Sequence, residues 1–182
     1  MLSAERYDRL LALYRGRVAG YADVDETFGQ RWTLWCRQLL AYGGDLVVPP
    51  KQPDEDLDEL LTHGQAHTSA ARTEPGDHNA CHTNAAVLWT DGTIAAIGTG
   101  YALSDDGLWR QHSWGVDTDG TLVETTDHRT LYVGLTLSGI AALQFAVSNA
   151  DWHLTAVLTA GGSRSRDLAA ILQSAGYRPM TA

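Results

Sequence analysis

Apolar residues near the start of the chain recur at helical spacing: Tyr7, Leu10, Leu11, Tyr14 and Val18, then Phe28, Trp32, Trp35 and Leu39. Residues three and four apart share one helix face, so residues 1 to 42 predict two amphipathic helices. After Gly43-Gly44 an extended piece runs to Pro49-Pro50, and Asp54 is placed to cap a short third helix carrying Leu57, Leu60 and Leu61. Residues 63 to 80 are polar, contain Pro75-Gly76, and predict a loop of the kind that lines a site. Cys81, Ala85 and Leu88 then fall on one helical face, with Asp77 or Asn79 as cap and Asp91-Gly92 as stop. Beyond Gly92 the period shortens toward two, which predicts strands over Thr93 to Ser104, Leu108 to Asp117, Thr121 to Thr126 and about Tyr132 to Leu137. The sheet they form is read as antiparallel. A helix from about Gly139 to Asn149, a strand at Trp152 to Thr159, and a helix from about Arg164 to Ala175 ended by Gly176 complete the chain.

Composition narrows the function classes. The chain has 182 residues, enough for one substantial core, and no composition shift or long linker divides it, so a single domain over 1–182 with an N-terminal helical region at 1–62 is expected. With 22 acidic against 13 basic side chains, a net charge of -9, the surface field repels nucleic acid and anionic lipid. Lys51 is the only lysine, a mark of a GC-rich coding genome and hence of a bacterial source. The charged N-terminus lacks the apolar core of a signal peptide, and no stretch reaches the roughly 18 apolar residues of a membrane span. A cytoplasmic protein with no nucleic-acid or membrane partner is expected.

The two cysteines sit in different settings. Cys36 follows Trp32 and Trp35 on a helix, the place of a buried, inert thiol, whereas Cys81 follows a polar loop and opens a helix. The partial positive charge at a helix start favours thiolate over thiol. Downstream, alternation puts Leu108, Arg110, His112, Trp114 and Val116 on one face of a hairpin strand. If Thr118-Asp119-Gly120 is a three-residue turn, Trp114 faces Glu124 and Glu124 lies diagonally beside His112. If the turn is Asp119-Gly120 alone, Asp127 lands opposite His112 instead. Cys81, His112 and Glu124, with Asp127 as rival, therefore have the layout of a nucleophile, its base and an orienting carboxylate.

A helix-opening cysteine, a His-x-Trp strand, and a hairpin return ending in an acid followed one residue later by Thr resemble the core of transglutaminase-like and related papain-like cysteine enzymes. The pieces here are Cys81, His112 with Trp114, and Glu124 with Thr126, and the likeness spans about residues 78 to 127. The acid is Glu where the transglutaminase-like pattern has Asp, the hairpin is shorter, and Pro75 stands where papain-like enzymes often carry an oxyanion-stabilising Gln. The resemblance implies an α+β fold with a papain-like or transglutaminase-like core, the catalytic helix packed on an antiparallel sheet with N-terminal helices added. It implies acyl transfer through a thioester, as amide hydrolase, deamidase or acyltransferase, on a small-molecule or peptide substrate with no cofactor. The oxyanion hole should combine the Cys81 backbone N–H with one side-chain donor, and Asn79, Gln111 and the Trp109 indole are the candidates.

A second reading is a non-catalytic binding or regulatory protein with a metal site, because His63, His67, His78, Cys81 and His82 cluster and His63 and His67 could share a helical face. Paired-ligand spacing and an HExxH motif are both missing, so no metal is assigned. Trp114 is read as core. Gly98-Thr99-Gly100 lies inside a strand pattern, where it could bring backbone close to a bound substrate.

Overall fold

A computed structural model describes residues 2–68 and 71–176. The architecture is mixed α/β. Six helices occur among the described residues: α1 (Ala4–Ala19), α2 (Phe28–Ala41), α3 (Leu57–His63), α4 (Cys81–Asp91), α5 (Gly139–Ala160) and α6 (Ser163–Ser174). Seven strands, β1 (Leu46–Val47), β2 (Gln65–His67), β3 (Ala71–Thr73), β4 (Ala96–Ser104), β5 (Leu108–Val116), β6 (Leu122–Glu124) and β7 (Arg129–Leu137), form one sheet. Its order is β2-β7-β4-β5-β6-β3, with β1 paired to β5.

The sheet is mixed, which corrects the antiparallel expectation. β1 runs parallel to the start of β5, Leu46 beside Leu108, and β3 runs parallel to β6, Ala71 beside Leu122. Both parallel strands are two or three residues long, too short to carry a period-two pattern. For the same reason β2 and β3 lie inside the stretch read as loop, of which residues 69 and 70 fall outside the described residues.

Two compact units divide the chain. The first comprises Met1–Thr68, Gly100–His112 and His128–Leu135. Its core is built on the buried stripe of α2, Phe28, Trp32, Trp35 and Leu39, with Leu57, Leu60, Tyr101 and Trp109. Trp35 meets Tyr101 edge-on at 5.7 Å, a favoured aromatic geometry. Asp54 does not cap α3, whose first residue is Leu57. It is buried instead, accepting from the Tyr101 hydroxyl at 2.8 Å and from Gln111 Nε2 at 3.3 Å.

The second unit comprises Ser69–Thr99, Ser113–Asp127 and Thr136–Ala182. Small residues let its helices approach closely: Ala85 and Ala86 on α4, Ala142 and Ala146 on α5, all fully buried with Trp89, Leu154 and Leu168. The strand expected at Trp152 to Thr159 is the second half of α5, which kinks at Ala150 (φ -154°, ψ 42°) and continues to Ala160. Leu154, Val157 and Leu158 meet the core at helical spacing, and this burial overrides the alternation that read as β. Among the described residues no helix is long and apolar enough to cross a membrane.

Candidate functional site

Cys81 is the first residue of α4, half-buried and in no disulfide. Neither Asp77 nor Asn79 holds the cap position of the helix: Ala80 does, and it makes no side-chain capping bond. The approach is fixed from within, because Asn84 Oδ1 accepts from the Asp77 N–H at 3.1 Å while its Nδ2 donates to the Asp77 carbonyl at 2.8 Å. Asn79 takes a left-handed turn (φ 58°), which an Asn tolerates better than most residues. Cys81 thus opens α4 at the partial positive end of the helix dipole, with no acidic residue at the cap or in the first turn. Cys36 is the contrasting thiol, pushed up to about 12 by burial.

The β5–β6 register decides between the two hairpin readings. Gly115 pairs with Val123 and Val116 with Leu122, and the Asp117 N–H donates to the Thr121 carbonyl at 2.9 Å. The turn is therefore Thr118-Asp119-Gly120 with Gly120 left-handed (φ 85°), and the register continues to Trp114 opposite Glu124. Asp127, which needed the shorter turn, lies exposed in the bend after β6. Glu124 is buried at 3% exposure, and its Oε1 accepts from the Thr125 N–H (2.9 Å), the Thr126 N–H (2.8 Å) and the Thr126 hydroxyl (3.0 Å). Three donors on one oxygen fix the orientation of the carboxylate. His112 is buried on β5, two residues before Trp114 on the same strand face, with its ring 6.1 Å from that of Tyr132.

One polar chain was not legible from the sequence. His82, the residue after Cys81, places Nδ1 2.6 Å from the hydroxyl of Ser113, the residue after His112, and Ser113 Oγ donates to Thr99 Oγ1 at 3.2 Å. The first turn of α4 is thereby pinned to β5 and β4 at buried positions. The signal in the sequence was a Ser and a Thr inside strand patterns, which alternation alone does not pair.

The oxyanion candidates separate. Trp109 is removed: its ring is fully buried and its Nε1 donates to the Gly43 carbonyl at 2.8 Å. The Gln111 amide is engaged with Asp54, and Asn79 is exposed in the loop before α4. The histidine cluster disperses. His63 ends α3 beside Glu59 (3.7 Å), His67 ends β2, so they share no helix face, and His78 is exposed. Burial lowers the His67 pKa. Among the described residues no group of three or more His, Cys, Asp or Glu is placed to hold a metal ion. Gly98 and Gly100 serve packing: a Cβ on Gly98 would lie 2.1 Å from the Trp114 ring, and one on Gly100 would lie 2.4 Å from the Val133 carbonyl oxygen. Comparisons of the chain with protein-family models, with curated proteins and with solved structures found no match.

Proposed function

We propose that the protein is a cysteine-dependent acyl-transfer enzyme on a papain-like arrangement, with Cys81 as nucleophile, His112 as general base and acid, and Glu124 as the orienting carboxylate. The observation that carries this reading is the 2.6 Å contact between His82 and Ser113, the immediate sequence neighbours of Cys81 and His112. That tie holds the first turn of α4, which Cys81 opens, against β5, the strand that also carries His112, and so supports the reading. The register that sets Trp114 opposite Glu124, and the three bonds that fix Oε1, support the carboxylate's part.

In the reaction, His112 takes the Cys81 proton as Sγ attacks the carbonyl of an amide or thioester. The tetrahedral oxyanion is met by the Cys81 backbone N–H, with Asn79 as the remaining side-chain candidate. The tetrahedral species collapses, His112 returns the proton to the departing amine or thiol, and a thioester to Cys81 remains. Water or an amine then attacks that thioester, losing its proton through His112 and restoring the thiol. Glu124 steadies the imidazolium through Oε2. Small molecules and short peptides are the substrates that suit this chain.

The test is the pH dependence of iodoacetamide alkylation at Cys81, read by mass spectrometry with Cys36 as internal control. Reaction with a midpoint well below the ordinary thiol value of about 8.5, lost in His112→Ala and reduced in Glu124→Gln, is the expected result. A midpoint near 8.5 in all three proteins would overturn the reading.

A further inference from the structure

A crevice of about 250 Å³ opens within the second unit, between the loop preceding α4, α4 itself and the half of α5 beyond the kink. Three of its walls point to one ligand chemistry. Thr125 is 2% exposed, lines the crevice, and its Oγ1 has no hydrogen-bond partner among the described residues. A buried hydroxyl without a partner is costly, so a polar ligand group that bonds to it offsets that cost. Asp77 stands exposed at the rim and enters no ion pair among the described residues, whereas the neighbouring carboxylate of Glu74 is taken by Arg72 at 2.8 Å. Trp152 is 67% exposed, unusually open for an indole, and faces the crevice with Val87 and Leu88.

A carboxylate and an aromatic face both attract a cation, and the aliphatic wall suits a short apolar stem. An anion would meet Asp77 and Glu74, and the net charge of -9 repels it further. The volume is below the roughly 300 to 1,000 Å³ of sites that enclose a drug-sized ligand, and fits one side chain. We propose that this crevice binds an alkylammonium group, carried by a lysine of a peptide or by a small free amine. The site uses none of Cys81, His112 and Glu124, so it stands apart from the acyl-transfer reading.

The experiment follows the Trp152 indole ¹H–¹⁵N signal, assigned through Trp152→Phe, in the Cys81→Ala protein and in the wild type. The probes are n-pentylammonium, pentan-1-ol as its neutral match, and Nα-acetyl-lysine methylamide. A saturable shift with the ammonium compounds and not with the alcohol is expected. Asp77→Asn should weaken it about fivefold, the size of an exposed ion pair near its upper range. Thr125→Val should also weaken it while melting no lower than wild type, because the variant removes an unpartnered buried hydroxyl. Tighter binding of the lysine derivative identifies a peptide ligand, and tighter binding of pentylammonium a free amine, either of which supports the proposal. Equal shifts with pentan-1-ol, no saturation, or unchanged affinity in Asp77→Asn would overturn it, and none of these results bears on Cys81 reactivity.

Discussion

Gly98 carries, at a single position, the difference between what local pattern reveals and what packing decides. A glycine inside a strand announces a close approach, and the sequence cannot say of what. Here the partner is the Trp114 ring, whose five-membered edge occupies the place of a Cβ. Trp114 itself was legible as core because it sits on the alternating face of β5, and it is fully buried. Cys81 and Glu124 were legible for a related reason: each lies at the end of an element whose boundary is written locally, in a helix start and a Gly120 turn. Gly98→Ala should therefore cost about 2 kcal/mol or more, the upper part of the range for overpacking against a rigid neighbour. The urea midpoint measures it. Trp114→Leu in the Gly98→Ala background should recover about 1 kcal/mol of coupling, since the clashing ring is gone. Additive losses in the double variant would show that the two positions do not share this space.

At the level of elements, α4 shows how the helix start that carries Cys81, the proposed nucleophile, is positioned by its neighbours. The helix has no side-chain cap, and its first turn is held by Asn84 on the loop side and by His82 on the sheet side. Neither tie was readable from spacing, because Asn84 bonds backward across a turn and His82 pairs with a serine 31 positions away. α5 is the converse case. Its second half alternates like a strand, yet Leu154, Val157 and Leu158 are drawn onto the helical core, so tertiary burial wins over local preference. Removing the sheet-side tie with Ser113→Ala should cost about 1 to 3 kcal/mol, because it leaves His82 Nδ1 and Thr99 without their shared partner. It should also move the Cys81 alkylation midpoint upward, toward an ordinary thiol. A loss of stability with no change in that midpoint would mark the tie as structural alone.

On the scale of the whole chain, the division into two units follows no linear boundary. It falls inside β4, β5 and β7, so each unit gathers segments from distant parts of the sequence. A reading along the chain finds no linker there because none exists. The same non-local assembly buries Asp54, which local pattern placed at a helix cap, against Tyr101 and Gln111. Burial raises the Asp54 pKa, and the bonds from Tyr101, the Asp56 N–H and Gln111 oppose that rise without cancelling it. The sign of the consequence follows from linkage. Below the unfolded value of about 3.9 both states hold the proton and nothing is lost. As pH rises from there through the higher folded value, the unfolded chain releases its proton first, so stability falls, and above the folded value the loss stays constant. Other carboxylates work in the opposite direction at lower pH: hydrogen bonds from Thr27 hold Asp25 at about 2, and Arg110 lowers Asp106. The Asp54 contribution is therefore isolated as the difference between Asp54→Asn and wild type in urea midpoint across pH 3 to 8. That difference should climb in favour of the variant from about pH 4 and then level off, since Asn keeps an acceptor for Tyr101 and carries no charge to bury. A difference that stays flat, or falls as pH rises, would mean that the Asp54 proton is not what this packing favours.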